Sequence, residues 1–145
     1  MKAAVIKEKS TIAIVDVPTP QTGPGEVVIK VKYCGICGSD IRLLADGYYP
    51  AGSVPGHEFC GTVAVLGSAV RDLHIGQRVA ADPNVFCHQC TYCRREMHNQ
   101  CLNLQAIGVT TDGAFAEYVL APRHVVYSIG NLPFDQAAFI ETQVG

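Results

Sequence analysis

The most constraining feature of the sequence is a row of cysteines, Cys87-His-Gln-Cys90-Thr-Tyr-Cys93, which Cys101 follows eight positions later. Three cysteines separated by two-residue gaps can surround a tetrahedral ion through tight turns, and the fourth can complete the shell from a short loop. Four thiolates leave no open coordination position on Zn²⁺. The spacing therefore predicts a structural zinc site in a small exposed lobe at about residues 83–104.

The residues alone leave two other interpretations of the row open. His88 and His98 lie within it, and either can replace a thiolate to give a Cys₃His shell. The cysteines can also be free or disulfide-bonded thiols. A DNA-binding zinc ribbon does not fit, because it uses two well-separated cysteine pairs and a basic face, and neither is present.

Length and charge narrow the class of protein. The sequence has 145 residues and a formal net charge of −2, from 11 basic and 13 acidic side chains. This length suits one soluble domain, and the charge balance excludes a strongly basic nucleic-acid-binding surface. The apolar stretches fall well short of the roughly 20 residues that span a bilayer, and Met1–Ile6 lacks the apolar region of a secretory signal. We therefore expect a cytoplasmic protein with no nucleic-acid or membrane partner.

The total number of cysteines agrees with this expectation. There are seven, and in a reducing compartment an odd number favours metal ligands and spare thiols over a disulfide framework.

Short runs rich in Val, Ile and Ala, separated by Gly and Pro, predict strands along most of the chain. In one run, Ile29, Val31 and Tyr33 alternate with Lys30 and Lys32, which is the period of a half-buried strand. The pattern indicates a mainly β fold of the sandwich or barrel type. The predicted strands are Ala3–Ile6, Thr11–Val15, Val27–Cys34, Thr62–Leu66, Arg78–Ala81, Phe115–Leu120 and Val125–Tyr127.

Few sequence patterns predict a helix before the C-terminal segment. Asp135 can cap a helix over Gln136–Glu141, with Pro133 just before it, so we expect one short C-terminal helix. The 145 residues contain no βαβ alternation and no G-x-G-x-x-G fingerprint. A Rossmann dinucleotide-binding domain is therefore absent from this sequence.

A second group of metal-capable residues lies in two glycine-containing segments, Gly35-Ile-Cys-Gly-Ser-Asp40 and Pro55-Gly-His-Glu58. Cys37, His57 and Glu58 offer a thiolate, an imidazole and a carboxylate, which is the mixed shell of a catalytic zinc that keeps one position open. From these residues alone, the alternative is a packed cysteine and a hydrogen-bonded His-Glu pair at the surface.

In this order, these segments and several others resemble the zinc-dependent medium-chain alcohol and polyol dehydrogenases, most of all the sorbitol dehydrogenase branch. The resemblance covers the whole chain and implies a GroES-like, partly open β-barrel over residues 1–145, with a zinc-binding lobe. It also implies that the Rossmann domain that binds NAD(P) lies outside these residues. The matching segments are Met1-Lys-Ala, Gly23-Pro-Gly-Glu-Val27, Gly35-Ile-Cys-Gly-Ser-Asp40, Pro55-Gly-His-Glu58, Gly76-Gln-Arg-Val79, the cysteine row, Gly113-Ala-Phe-Ala-Glu-Tyr118 and Ile140-Glu141.

The resemblance implies roles for individual residues. Ser39 matches the hydroxyl that relays the substrate proton, and Asp40 matches the carboxylate that hydrogen-bonds the far nitrogen of His57 and so fixes its tautomer. The ligands implied for a catalytic zinc are Cys37, His57, Glu58 and Glu141, the last directly or through a water. The ligands implied for a structural zinc are Cys87, Cys90, Cys93 and Cys101.

The implied function is that of the catalytic domain of an NAD(P)-dependent dehydrogenase, which oxidises a polyol or secondary alcohol to a ketone by zinc-alkoxide formation and hydride transfer. Because NAD(P) needs the absent domain, we expect little or no activity from the 145-residue chain alone. The other hypothesis is a stand-alone zinc-binding GroES-like module with a structural or partner-binding role and no turnover. The expected partner is a small-molecule alcohol or polyol, and a homo-oligomer of the full-length enzyme is compatible with the resemblance.

Several residues near the predicted sites have less specific interpretations. Arg42 stands where many relatives carry a histidine that helps the proton escape, and an arginine cannot act as a base near neutral pH. Cys34 and Cys60 are interpreted as small packed residues. Tyr48 and Tyr49 either line the mouth of a pocket or pack on the barrel.

Overall fold

A computed structural model describes residues 1–8 and 11–140. Strand outweighs helix, at 37% against 16%, and the sheets are open, so the predicted mainly β fold is confirmed. The strands form one five-stranded and two two-stranded antiparallel sheets. Within the described residues, no helix is long and apolar enough to cross a membrane. The strands are β1 Lys2–Glu8, β2 Thr11–Asp16, β3 Glu26–Gly35, β4 Glu58–Leu66, β5 Arg78–Ala81, β6 Asn84–Val85, β7 Gln105–Ala106, β8 Tyr118–Pro122 and β9 Val126–Ser128.

The five-stranded sheet, in the order β8-β3-β4-β5-β9, carries the main core. Val27 and Ile29 of β3, Val63 of β4 and Val79 of β5 are each at most 2% exposed. They belong to one cluster with loop residues such as Ile107. β-Branched side chains suit these positions because they pack well on a pleated surface. The sheet thereby fixes β3 and β4, and both strands lead directly to the candidate site.

A bulge in the pairing of β3 with β4 changes which side chains face the core. The register shifts between Val31 and Tyr33, opposite Gly61 and Cys60. Val31 still packs against the core, but Tyr33 is 48% exposed and Cys34 packs against the core instead. The predicted alternation through Tyr33 is therefore wrong, because a one-residue shift moves the following side chains to the opposite face.

The hairpin of β1 and β2 lies beside the main sheet. Ala3 and Val5 of β1 pack with Val54 and with Phe115, which lies before β8. The backbone N–H of Ala4 also donates to the carbonyl of Phe115 at 2.8 Å. These contacts hold the loop at Val54, which leads into one of the predicted metal-binding segments.

The first helix, α1, spans Gly38–Ala45, where the sequence analysis expected none. It follows Cys37, which is not a residue type preferred before a helix, and it begins with a glycine, a poor helix former. Asp40 supplies the start signal instead, because its Oδ2 accepts a hydrogen bond from the backbone N–H of Cys37 at 2.9 Å. This is one half of a capping box. The expectation that helix is confined to the end of the chain is wrong for this reason.

The second helix, α2, spans Phe134–Ala137, so the expected short helix is present but starts earlier than predicted. Pro133 precedes its first turn, and Asp135 lies within that turn instead of capping it. The carboxylate of Asp135 accepts a hydrogen bond from the N–H of the next residue at 3.1 Å. Glu141, the fourth ligand implied for the catalytic zinc, lies outside the described residues.

A short two-stranded sheet closes the loop that carries the cysteine row. β6 and β7 pair with each other, and they enclose a loop over residues 86–104 that carries all four cysteines of the row. Two short 3-10 helices, Cys93–Arg95 and His98–Gln100, order this loop.

Candidate metal centres

The pairing of β3 with β4 brings the second group of predicted metal ligands together. Gly35, at the end of β3, is opposite Glu58, the first residue of β4. Cys37 follows β3 by two residues and His57 immediately precedes β4, so three side chains meet at one edge of the sheet. Their ligand atoms, a sulfur, a nitrogen and an oxygen, all lie within 4.8 Å of one another.

Two glycines leave the space that this arrangement needs. A Cβ at Gly35 would lie 2.5 Å from Oε2 of Glu58, so a larger residue would displace the carboxylate. Gly56, just before His57, has a φ of +100°, and a Cβ there would lie 2.8 Å from the backbone nitrogen of Phe115. Only glycine adopts this conformation without strain. Gly35 and Gly56 are therefore favoured at these two positions for steric reasons, whereas a Cβ at Gly38 would have no neighbour within 4 Å.

Behind the three candidate ligands, His57 faces a nearly buried carboxylate. Its Nδ1 lies 3.3 Å from Oδ1 of Asp40, and the two side chains are 11% and 7% exposed. The same Oδ1 accepts a hydrogen bond from the hydroxyl of Tyr49 at 3.0 Å, while Oδ2 accepts the one from the backbone N–H of Cys37. Asp40 therefore contacts two candidate ligands, His57 through its ring and Cys37 through its backbone.

These contacts set the charges of the metal-free site. The contact with Asp40, as the largest cause, and the contact with Cys37 together raise the pKa of His57 to about 9 against the opposing effect of burial. Burial raises the pKa of Asp40, but its contacts with His57 and with the N–H of Cys37 outweigh burial and lower that pKa overall. An imidazolium beside a carboxylate is the expected state at neutral pH. A metal ion that binds His57 must displace its proton.

The donor set fits zinc. Thiolate, imidazole and carboxylate all bind it, and bonds of about 2.0–2.3 Å in a tetrahedral shell place the donor atoms roughly 3.3–3.8 Å apart. Atoms already within 4.8 Å of one another need only small adjustments. Nδ1 of His57 is buried and, although close to Asp40, forms no well-aligned hydrogen bond with the described residues. The other nitrogen, Nε2, lies 3.3 Å from Oγ of Ser39, so one ring nitrogen faces a carboxylate and the other faces the site, as in metal-binding histidines.

The structure also gathers the four sulfurs of the cysteine row, all within 4.8 Å of one another. Sγ of Cys87 and Sγ of Cys93 are 3.9 Å apart, close to the distance of about 3.8 Å that a tetrahedral ZnS₄ unit requires. Three backbone N–H groups donate to sulfurs within the row, each at 3.4 Å. The N–H of Cys87 donates to Sγ of Cys101, that of Cys90 to Sγ of Cys87, and that of Cys93 to Sγ of Cys90. The row therefore fits zinc with four protein ligands and no open position.

Hydrogen bonds within the row favour thiolates at two positions. The backbone N–H groups of Gln89 and Cys90 lower the pKa of Cys87 to about 6, and those of Cys93 and Leu102 lower the pKa of Cys90. Burial raises the pKa of Cys93 to about 12. The metal-free row therefore holds thiolates beside thiols, and metal binding releases the remaining protons.

The two histidines of the row pack against other rings instead of joining the sulfurs. The rings of His88 and His98 meet nearly perpendicularly at 5.4 Å between centroids, and His98 stacks on Phe86 at 5.2 Å. His88 also contacts His124 at 5.2 Å. No described cysteine forms a disulfide. Of the alternatives left open by the sequence, the geometry favours the four-cysteine shell.

Cys34 and Cys60 lie near the open group without belonging to it. Burial raises the pKa of Cys34 to about 12 and that of Cys60 to about 11. The thiol of Cys60 donates to the carbonyl of Phe134 at 3.0 Å. Both thiols stay protonated near neutral pH, which agrees with their interpretation as packed residues.

Tyr49 is the site residue that sequence reasoning did not place. Of the two neighbouring tyrosines, Tyr48 is 55% exposed, whereas Tyr49 is 6% exposed with its hydroxyl on Asp40. A buried tyrosine needs a partner for its hydroxyl, and that requirement was the only available signal. The identity of the partner depends on the turn that follows α1, which no spacing rule predicts.

Comparison with known proteins assigns the chain to a family. The family of alcohol dehydrogenase GroES-like domains matches residues 23–131, a range that contains both metal-capable groups. The chain belongs to this family.

Individual relatives are substantially longer than this chain. An L-threonine 3-dehydrogenase from Mesorhizobium japonicum is 37% identical, over 100% of this chain and 44% of that protein. A D-altritol 5-dehydrogenase from Agrobacterium fabrum is 36% identical, over 97% of this chain and 43% of that protein. The crystal structure of a zinc-binding dehydrogenase from Sinorhizobium meliloti 1021 bound to NADP matches with a TM-score of 0.88 and 43% identity, over 95% of this chain and 41% of that one. The chain thus spans less than half the length of these relatives.

Proposed function

We propose that this chain is the zinc-binding catalytic domain of an NAD(P)-dependent dehydrogenase that oxidises a polyol or secondary alcohol to a ketone. One observation carries the proposal: Cys37, His57 and Glu58 converge, with the hydroxyl of Ser39 beside His57. A structural site closes its shell with protein ligands, as the cysteine row does, whereas a mixed shell of three leaves a position for a substrate oxygen.

The residues present determine how the metal would be held. Cys37, His57 and Glu58 would bind the catalytic zinc, and Glu141 would be a fourth ligand directly or through a water. Zinc bound there would act as a Lewis acid and lower the pKa of an alcohol hydroxyl. Asp40 would keep the ring of His57 in its metal-binding orientation.

Ser39 is the residue placed to handle the substrate proton. Its side chain lies in the first turn of α1 and is exposed, with Oγ 3.3 Å from Nε2 of His57. A hydroxyl can accept one proton while it donates another, so Ser39 can pass the proton of the alcohol to water. Arg42, one turn further along α1, stays charged and cannot accept it, and it pairs with Asp46 at 3.8 Å. The relay therefore runs from Ser39 to solvent.

The hydride acceptor in this proposal is the nicotinamide of NAD(P), bound by a second domain of a longer protein. The 145 residues hold no G-x-G-x-x-G segment, which Rossmann domains use to bind dinucleotides. One structural relative is bound to NADP, and the aligned relatives extend well beyond the matched region. In this assignment, residues 1–145 form the GroES-like domain, with the structural-zinc lobe at about residues 83–104.

The substrate class follows from a feature that the relatives' substrates share. L-threonine and D-altritol, named for two relatives, both carry a secondary hydroxyl group, and oxidation of that group gives a ketone. We therefore assign a small secondary alcohol or polyol as the substrate. A homo-oligomer of the full-length enzyme is compatible with the family resemblance.

The metal content of the purified 145-residue chain tests the two-site assignment. We expect two zinc ions per chain, and the loss of one in Cys37→Ser with an unchanged circular dichroism spectrum. Cys34→Ser is the matched control, because its thiol lies three residues away but outside the group, and it should retain two ions. One zinc in the wild-type chain, or two in Cys37→Ser, would contradict the catalytic site.

Enzyme assays test the assignment of cofactor binding. The 145-residue chain alone should show little or no NAD-linked oxidation of alcohols, and activity should require a protein that also contains a nucleotide-binding domain. Substantial turnover by the chain alone would refute the assignment of NAD(P) binding to a second domain. A longer protein that binds zinc but never turns over any alcohol would instead support a non-catalytic GroES-like module.

A further inference from the structure

Tyr49 hydrogen-bonds to Asp40 but belongs neither to the proposed metal ligands nor to the proposed proton relay. Its hydroxyl donates to Oδ1 of Asp40 at 3.0 Å, and the residue is 6% exposed. The same oxygen lies 3.3 Å from Nδ1 of His57. One carboxylate oxygen therefore faces a phenol and an imidazole together.

The chain reaches Asp40 because α1 ends in a tight turn. Gly47 has a φ of +67°, the left-handed conformation that commonly ends helices. The backbone N–H of Tyr48 then donates to the carbonyl of Leu43 at 2.9 Å. This turn reverses the chain and brings Tyr49 back against the first turn of α1, where Asp40 lies.

The contacts of Asp40 show what the hydroxyl of Tyr49 adds. Oδ2 is held by the backbone N–H of Cys37 at 2.9 Å, whereas the only well-aligned donor to Oδ1 in the described part of the chain is Tyr49. Nδ1 of His57 is close to Oδ1 but makes no hydrogen bond of acceptable geometry. The terminal torsion of a carboxylate has a broad energy profile. Without Tyr49, the carboxylate would keep only the hydrogen bond at Oδ2 and the attraction of the His57 ring, so Oδ1 would be held less tightly against that ring.

We propose that Tyr49 is a positioning residue: its hydroxyl fixes the Asp40 carboxylate against His57 and thereby orients the imidazole for the catalytic metal. The inference rests on the proposed function, because ring orientation matters only if His57 is a ligand. Tyr48 does not share the role, since it is 55% exposed and meets the Tyr49 ring edge-on at 6.4 Å.

The imidazole ¹⁵N resonances of the metal-free chain test the inference without zinc. Tyr49→Phe removes one oxygen and keeps the ring, and Tyr48→Phe is the matched control. We expect the Nδ1 resonance of His57 to shift in Tyr49→Phe and to stay in place in Tyr48→Phe. Unchanged His57 resonances in a folded Tyr49→Phe chain overturn the inference. Should Tyr49→Phe fail to fold, 3-fluorotyrosine labelling strengthens the same hydrogen bond, and the absence of any His57 shift overturns the inference equally.

Zinc competition with a chromophoric chelator gives a second readout. Tyr49→Phe should weaken the open site about 3- to 10-fold, less than the roughly 10- to 100-fold typical of a residue that touches the ligand directly, and leave the cysteine row unchanged. In an Asp40→Asn background the further effect of Tyr49→Phe should vanish, because it acts through Asp40. If Tyr49→Phe weakens zinc binding as much in the Asp40→Asn chain as in the wild-type chain, the inference is overturned. A wild-type chain that binds a single zinc refutes the proposed function, whereas the His57 resonances still decide the role of Tyr49.

Discussion

Nδ1 of His57 lies 3.3 Å from Oδ1 of Asp40, with both side chains nearly buried. This contact joins two parts of the chain, because Asp40 belongs to the first turn of α1 and His57 to the segment before β4. The same carboxylate holds the backbone of Cys37. The candidate catalytic centre is therefore built from one local motif and one strand pairing, and a single carboxylate links them.

The first prediction concerns the proton on His57. Asp40→Asn keeps the shape of the side chain and removes its charge. Because the contact with Asp40 is the largest cause of the raised pKa, the pKa of His57 in the metal-free chain should fall from about 9 towards its ordinary value of 6.5. An NMR titration of the His57 ring measures it. A pKa that stays near 9 would show that Asp40 is not the cause.

The same contact predicts how the stability of the zinc-free chain depends on pH. The pKa of His57 is about 9 in the folded state, against 6.5 for an unperturbed histidine. The contact between His57 and Asp40 therefore adds its full contribution to the free energy of unfolding below about pH 6.5, and this contribution is lost as the pH rises through about 9. The difference in melting temperature between the wild-type chain and Asp40→Asn should shrink across this range. A difference that is constant from pH 6 to pH 10 would contradict the linkage.

A further prediction separates the two metal centres. Cys90→Ser should reduce the zinc content from two ions to one and loosen the loop over residues 86–104, because four-ligand shells order loops that bury little apolar surface. The core of the five-stranded sheet should persist, since Val27, Ile29 and Val79 lie outside the loop. Limited proteolysis should therefore cut within residues 86–104 and leave the remainder intact. Loss of both zinc ions would show that the centres are not independent.

The sequence predicted the cysteine row and seven of the nine strands in the described part of the chain because their signals are local, and it missed only the two-residue strands β6 and β7. Runs of β-branched residues between turns mark strands, and two-residue gaps bring three sulfurs together whatever the rest of the fold does. The meeting of Cys37 with His57 is different, since twenty positions separate them. Family resemblance suggested it, and the pairing of Gly35 with Glu58 is what produces it.

Tyr33 and Tyr49 show where local patterns fail. A bulge after Val31 placed Tyr33 on the exposed face, and nothing in an alternating pattern indicates where an extra residue will be inserted. Tyr49 became part of the site through a turn that folds back on Asp40. Likewise α1 follows a cysteine and begins with a glycine, so its start depends on the contact of the Asp40 side chain with the backbone of Cys37, which helix propensities do not register.

Ser39 gives a prediction about turnover in the longer dehydrogenase that we propose. Ser39→Ala should lower kcat by roughly 10²-fold or more, the usual effect of removing a proton-transfer group. Zinc content should stay at two ions, because the hydroxyl is not among the proposed ligands. Ser53→Ala is the matched control, since that hydroxyl bonds only the carbonyl of Pro50 at 2.7 Å in the described structure. An unchanged kcat in Ser39→Ala would exclude this relay.

Gly35→Ala should damage the open metal site through the carboxylate of Glu58. The added methyl group would lie 2.5 Å from Oε2 of Glu58 and 2.9 Å from the ring of Phe139. Glu58 is only 4% exposed, so its carboxylate has little free space and must leave its position in the ligand group to relieve the overlap. We expect zinc affinity at the open site to fall on the order of tenfold and the free energy of unfolding to fall by about 1–3 kcal/mol, while the cysteine row keeps its affinity. Gly25→Ala is the control, because a Cβ there has no neighbour within 4 Å, and a Gly35→Ala chain that binds zinc as tightly as this control would remove Glu58 from the ligand set.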